Sequence, residues 1–467
     1  MNTYNNHIKI VCIMKGKYRK DYIALRSFIH DIRRKKKKHL IRSKKHAQYL
    51  SLLRSLGNVT SIDNILRFKL SASTIYLFTN QESPLNFNKI LNIVDNYEGV
   101  IKTPKVFSLI DNPSESYEAI KKLTASLLFQ KHRDVVIDYS QCESFTLEAQ
   151  VLLDLILKDI LRVFNICEHI PKNRSFIKNI TDKTKKNSNV RAMLFSVGSQ
   201  AIHANKHIEY PHVIPYHLCI HKAINNTIEQ IEQKELDTTA LSDYVETCLA
   251  RMGRKLDNDS MDDLCTVIGE ILINAEEHSS THCRYSIGYF EQKNIDDKDV
   301  GVFQLVILNM GRSIYEKFHD ADCPNKNVVE KMKALSGRYT ERKFWKLHRF
   351  DEESLWTLYS LQDGVTSVSP QEYSQRGNGS LRFIESFFNL KNMDREDKQS
   401  KMVLQSGHTN IVFDGTYGTA ERVVNKNRYR VMTFNRSNDI EEVPDTKFVK
   451  RTDFYFPGTF IYANIIL

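Results

Sequence analysis

Hydrophobic positions change their period at several points along the chain, and each change marks a predicted element. Asp134–Tyr139 carries Val135-Val136-Ile137, a short apolar run that reads as a buried strand, and Leu147–Val163 repeats its apolar residues at helical spacing. Upstream, Lys105–Ile110 reads as a strand and Ser114–Leu128 as a helix, so an α/β layer is expected over roughly the second hundred residues. The polar, Lys-rich stretch Lys172–Asn189 reads as a loop or weak helix. From Val213 the pattern shifts. Helices are expected at His217–Lys234, Ala240–Met252 and Met261–His278, strands at Tyr285–Glu291 and Gly301–Leu308, and helical structure over Asn327–Leu361 and Leu381–Phe388. Met402–Gln405, Asn410–Asp414, Tyr429–Phe434 and Thr459–Leu467 close the chain as strands, which favours an α+β sandwich for this half. At the other end, Ile8–Met14 and Thr74–Thr79 read as strands around a basic helix.

Composition narrows the class. Of the 467 residues, 41% are hydrophobic and 26% charged, as in a globular protein able to bury sizeable cores. No run approaches the roughly 18 apolar residues that a membrane span needs. Ile8–Met14 lacks a small-residue cleavage site, so no signal peptide is expected. The 8 cysteines form no CxxC pair, a spacing that excludes a zinc ribbon and a disulfide framework and fits reduced thiols in the cytoplasm. The net charge of +11 is concentrated. Between Lys15 and Arg54 the basic residues stand against only Asp21 and Asp31, leaving the rest of the chain near neutrality. Arg33-Arg34-Lys35-Lys36-Lys37-Lys38 could neutralise nucleic-acid phosphates or serve as a solvated helical face.

Three short segments carry candidate chemistry. On the expected Met261–His278 helix, Leu264, Val267, Ile268, Ile271, Leu272 and Ala275 form an apolar stripe, and Glu270 and Asn274 stand one turn apart beside it. A carboxamide oxygen is a hard ligand suited to Mg2+ that keeps its waters and substrate phosphates. A carboxylate one turn away can hold and deprotonate an attacking water. The second segment is Asn309-Met310-Gly311-Arg312-Ser313-Ile314, where a strand ends in a polar residue and a glycine that permits close backbone approach; Asn309 could accept from an adenine amino group. The third is Arg376-Gly377-Asn378-Gly379-Ser380-Leu381, two glycines opening a helix, a geometry whose free amides attract phosphate.

Taken in order and separation, an E-x3-N-A-x2-H helix, an N-x-G strand end and a GxG helix start resemble the GHKL (histidine kinase-like) ATPase superfamily. Glu270–Ser279 looks like its N box, Asn309–Ile314 its first glycine box and Arg376–Leu381 its second, with the ATP lid between them at about 315–375. Phe456–Ile461 looks like the last sheet strand. The resemblance implies a Bergerat-type α/β sandwich with a mixed sheet, ATP and Mg2+ as ligands, Glu270 as general base and Asn274 as metal ligand. It places Asn309 and Gly311 at the adenine, and Arg376, Gly377 and Gly379 at the phosphates. Two positions depart from the family. Asn309 replaces the usual Asp, keeping an acceptor and adding a donor, and Ser313 takes the place of a glycine. No phosphoacceptor-histidine domain is legible upstream, which argues against an ordinary sensor kinase.

Asp134–Ser140 followed by Leu147–Val163 resembles the STAS domain of anti-sigma-factor antagonists. The phosphoacceptor position falls near Leu147 and Glu148, with Thr146 the nearest hydroxyl, so the region is expected to be an interaction module. The expected organisation is a basic α/β region at 1–95, a STAS-like domain at 96–205 and a GHKL ATPase-like domain at 206–467. Three functions follow from it: a cytoplasmic, bacterial ATPase working as a nucleotide-dependent switch; an anti-sigma-type serine/threonine kinase; or a non-hydrolysing ATP-binding scaffold in a nucleic-acid-associated or antiviral defence assembly. A protein partner or homodimer is expected, nucleic acid could bind through Arg33–Lys38, and no membrane is involved.

Overall fold

A computed structural model describes residues 70–93, 100–129, 136–164, 185–199, 210–223, 228–295, 298–340, 350–365, 367, 379–391, 399–424 and 427–467. They fall in one compact unit, Leu66–Leu467. The expected strand Ile8–Met14, the basic run Arg33–Lys38, Arg376 and Gly377 lie outside the described residues.

The first part of the chain supplies short elements: α1 (Ala72–Thr79), α2 (Phe87–Leu91), β1 (Val100–Lys102), β2 (Val106–Phe107), α3 (Pro113–Phe129), β3 (Val136–Asp138), β4 (Ser144–Phe145), α4 (Leu147–Phe164) and α5 (Lys185–Ser196). Strands β1 and β3 pair in parallel, as do β2 and β4, the arrangement that an alternating strand–helix pattern requires. The expected strand Thr74–Thr79 is instead the helix α1. Its buried residues Ser73, Thr74, Leu77 and Phe78 recur at helical spacing, and Ser71 caps it by accepting from the Thr74 N–H at 3.2 Å.

The larger part follows: β5 (Val213–Lys222), α6 (Ile228–Arg251), α7 (Asn258–Glu277), β6 (Cys283–Ile295), β7 (Lys298–Met310), α8 (Ile314–His319), α9 (Lys326–Thr340), α10 (Glu352–Ser360), α11 (Gly379–Asn389), β8 (Lys401–Phe413), β9 (Ala420–Val424), β10 (Asn427–Val431) and β11 (Val449–Ile466). Five strands form one sheet in the order β5-β6-β7-β11-β8, antiparallel at every pairing. This corrects the expectation of a mixed sheet. The helix expected at His217–Lys234 is likewise corrected: Val213–Lys222 is the edge strand β5, and the helix that begins at Ile228 runs unbroken to Arg251. The two strands expected at Met402–Gln405 and Asn410–Asp414 are one, Lys401–Phe413, bent at Gly407, whose φ is 56°.

Strand β7 is buried on both sides. Phe303, Leu305 and Ile307 face α6, α7 and α11 across the main core. Tyr285 and Leu308, paired in register, face the opposite way, where Tyr285 donates its hydroxyl proton to Ser73 of α1 at 2.8 Å. Helix α4 also packs against β6, β7 and β11, so helices cover both faces of the sheet. The stretch between β7 and α11 is no bare loop. Trp356 on α10, fully buried, gathers Phe318, Val329, Met332 and Leu355 into a second core and donates from its indole to Ser336 at 2.9 Å. No helix among the described residues is long and apolar enough to cross a membrane.

Candidate functional site

Helix α7 is the centre of the site, and its sequence explains why it forms. Asp257 caps it by accepting from the Ser260 N–H at 2.7 Å, and His278 closes it with an N–H donated to the Asn274 carbonyl at 2.9 Å. Leu264, Val267, Ile268, Ile271 and Leu272 are buried as the stripe requires, each contributing roughly 1.5–3 kcal/mol through burial. Glu270 and Asn274 are left at the margin of that stripe. The Glu270 side chain is 40% exposed, while its Oε2 is shielded from solvent and has no hydrogen-bond partner. Asn274 is half-buried, and among the described residues its carboxamide takes no hydrogen bond. Two polar groups are thus held on a rigid helix with capacity to spare.

The other two segments converge on this helix. Asn309, at the end of β7, is 3% exposed and donates from Nδ2 to the Ala275 carbonyl at 2.7 Å, one residue past Asn274. Its Oδ1 accepts from the Thr459 N–H at 3.2 Å. One N–H and one lone pair of the amide remain for any ligand. Gly311 sits at φ 149°, and a Cβ there would stand 2.5 Å from the Ser280 backbone nitrogen. Its glycine is therefore demanded by the loop after α7, a reason the sequence alone does not show. Ser313 caps α8 in a box with Glu316: each side chain accepts from the other residue's backbone N–H, at 3.1 and 2.6 Å. From the third segment, Gly379 opens α11, and one turn on, Arg382 reaches back to α7. Its guanidinium lies 2.6 Å from Asp263 and 3.8 Å from Glu270.

Several charged residues near α7 escaped the sequence reading. Glu276, buried on the far side of the helix, meets Lys234 at 2.7 Å and His221 at 3.2 Å, while Arg284 binds Asp237 at 2.8 Å. Burial, and then Arg284, hold the His221 imidazole below its ordinary pKa. This network locks the last turn of α7 against α6, β5 and β6. Lys317 on α8 donates to the His278 carbonyl; burial, and then Arg312, push its ammonium down to about 7. His278 is pushed to about 3 by burial and then by Lys317. Lysines two turns beyond a glycine turn are too common for spacing alone to single one out.

No family model, curated protein or solved structure matches the chain. The case for function therefore rests on the site itself. At the start of α4, Thr146 is spent locally: its hydroxyl donates to Glu148 and bonds the Phe107 carbonyl at 3.3 Å. Glu148 is buried, also accepts from Ser108 at 3.0 Å, and is raised to about 7 by burial. The cysteines Cys142, Cys219, Cys248, Cys265, Cys283 and Cys323 are all free, and burial lifts the Cys142 thiol to about 12, where it is inert.

Proposed function

We propose that the chain binds Mg-ATP in a GHKL-type site on α7 and works as a nucleotide-dependent conformational switch that hydrolyses ATP. The observation that carries this reading is convergence. Three segments resembling the superfamily's motifs, spread over more than a hundred residues, meet on one helix: Asn309 bonds the Ala275 carbonyl, and Arg382 of the glycine-opened helix pairs with Glu270.

The residues fit the ligands. Asn274 offers a free carboxamide oxygen, and Glu270 has a carboxylate oxygen without a partner. Among the described residues no three His, Cys, Asp or Glu side chains are gathered to hold a metal alone, which suits Mg2+ that arrives with the phosphates and takes Asn274 as its protein ligand. The metal would supply charge neutralisation at the phosphates. Glu270 would orient a water and take its proton, and the amides at the start of α11, with Gly377, Gly379 and Arg376, would receive the phosphates. The adenine would lie at the Asn309–Gly311 turn. The helical layer of α1 and α4 on the far face of the sheet, the STAS-like half included, would read the nucleotide state.

Phosphate release by the full chain tests hydrolysis directly. Glu270→Gln is expected to bind ATP normally and to release phosphate at least about a hundredfold more slowly, the scale of a lost general base. Release undiminished in this variant would refute the role of Glu270. Transfer of phosphate to a protein hydroxyl in place of release would favour the kinase alternative.

A further inference from the structure

Four hydroxyls run in a line from the far face of the sheet to the turn that carries Gly311. Tyr285 of β6, buried, donates to Ser73 of α1 at 2.8 Å. Ser73 meets Thr281 at 3.1 Å, and Thr281 meets Ser279 at 2.9 Å. Ser279 and Thr281 both reach the Met310 carbonyl, at 3.0 and 3.2 Å. A hydroxyl has one proton to give. The carbonyl can only accept, so the protons of Ser279 and Thr281 are directed toward it, and Ser73 must donate at its contact with Thr281. The line therefore runs in one direction from Tyr285 to Met310, the arrangement in which successive hydrogen bonds strengthen one another. Its end pins the peptide unit before Gly311, a residue whose missing side chain leaves its dihedrals free. That unit is held at the carbonyl by the two hydroxyls and at the Gly311 N–H by the Pro457 carbonyl at 3.2 Å.

We infer that Ser73 and Thr281 are positioning residues for the candidate base-binding turn, so that α1 braces Met310–Gly311 from the opposite face of the sheet. This deepens the ATP reading of the site and rests on it. The hydroxyls of the brace are spent on one another and on the Met310 carbonyl, so they act through the backbone of the turn. Without the Thr281 hydroxyl, the carbonyl loses one of its two hydroxyl donors and the buried Ser73 loses its acceptor. Without the Ser73 hydroxyl, the buried Tyr285 proton loses its acceptor, and Thr281 loses the donor that fixes its rotamer.

The test is calorimetric titration of Mg-ATP into the full-length wild type, Thr281→Val, Thr281→Ser, Ser73→Ala and Leu77→Ala, each alongside a thermal melt. Thr281→Val keeps the shape of the side chain and deletes its hydroxyl. It is expected to weaken Mg-ATP binding by about 5-fold or more, the lower end of the coupling between separate sites. Ser73→Ala should weaken binding in the same direction. Thr281→Ser keeps the hydroxyl and should bind as the wild type does. Leu77→Ala removes a buried contact of the same helix and leaves every hydroxyl in place, so its melting temperature should fall while its affinity holds. A chain of hydroxyls that only supports the fold would weaken binding in step with melting temperature, Leu77→Ala included. That result, or wild-type affinity in Thr281→Val or Ser73→Ala, overturns the brace and leaves the ATP site standing. A wild type that binds no ATP overturns both.

Discussion

Asn309 bridges two backbone groups of opposite kind, a carbonyl at the end of α7 and an N–H in β11. Only a carboxamide can donate to one and accept from the other in that buried position. A carboxylate there would face the Ala275 carbonyl with no proton to offer. Asn309→Asp is therefore expected to destabilise the fold by on the order of 3 kcal/mol, the cost of a buried charge set against an acceptor, as read from urea unfolding; equal stability would show that the bridge is dispensable. Ser313 likewise has a local role, its cap on α8. Asn309 stood out in the sequence, but its reason did not, because its two partners lie on other elements. Glu148 yields a pH prediction. Its folded pKa is raised to about 7, so the folded state keeps a proton that the unfolded chain loses near 4.5. Stability from this group is full below pH 4.5 and declines as the pH rises through 7. Glu148→Gln keeps an acceptor for Ser108 and carries no charge, so its melting temperature should gain on the wild type between pH 5 and pH 8. A difference independent of pH would contradict the raised pKa.

Among the elements, α7 was the most legible, because a long apolar stripe with a capping Asp leaves few alternatives. Strand β5 was not. Its two sides meet different surroundings, including the buried charges around His221, so the period-two pattern of a half-buried strand is missing and the run merged with the helix after it. Helix α1 was misread for the converse reason: Thr74-Ile75-Tyr76-Leu77-Phe78-Thr79 is rich in strand-forming residues, and the tertiary face it buries overrides their propensity. The turn after β7 supplies a prediction at this scale. Gly311→Ala would drive a Cβ to 2.5 Å from the Ser280 nitrogen at a φ of 149°, forcing the β7–α8 turn away from the end of α7. The expected cost is about 2–3 kcal/mol, with weaker ATP binding in the same variant. Wild-type stability in Gly311→Ala would mean that the turn is not held against Ser280.

At the scale of the molecule, the far face of the sheet is where sequence and structure differ most in emphasis. Periodicity changes character near Val213, as if two layers were independent, yet α1 and α4 lie directly on β7, and Ser73 joins the hydroxyl chain through Thr281 and Ser279 to the Met310 carbonyl, next to Gly311. Tertiary docking of this kind leaves no local signature. A chain cut to residues 206–467 would expose Tyr285 and Leu308, so it is expected to aggregate or to melt well below the full chain; a truncated chain as stable as the full one would show the layer to be an accessory.

The central claim, that α7 and its two neighbouring turns form an Mg-ATP site, is tested most directly by calorimetric titration of ATP into the full chain with and without Mg2+, repeated with Asn274→Ala. Saturable one-to-one binding that is strengthened by Mg2+ in the wild type, with that strengthening lost in Asn274→Ala, is the predicted result. No heat of binding, or binding that Asn274→Ala leaves untouched in both affinity and Mg2+ dependence, would contradict it.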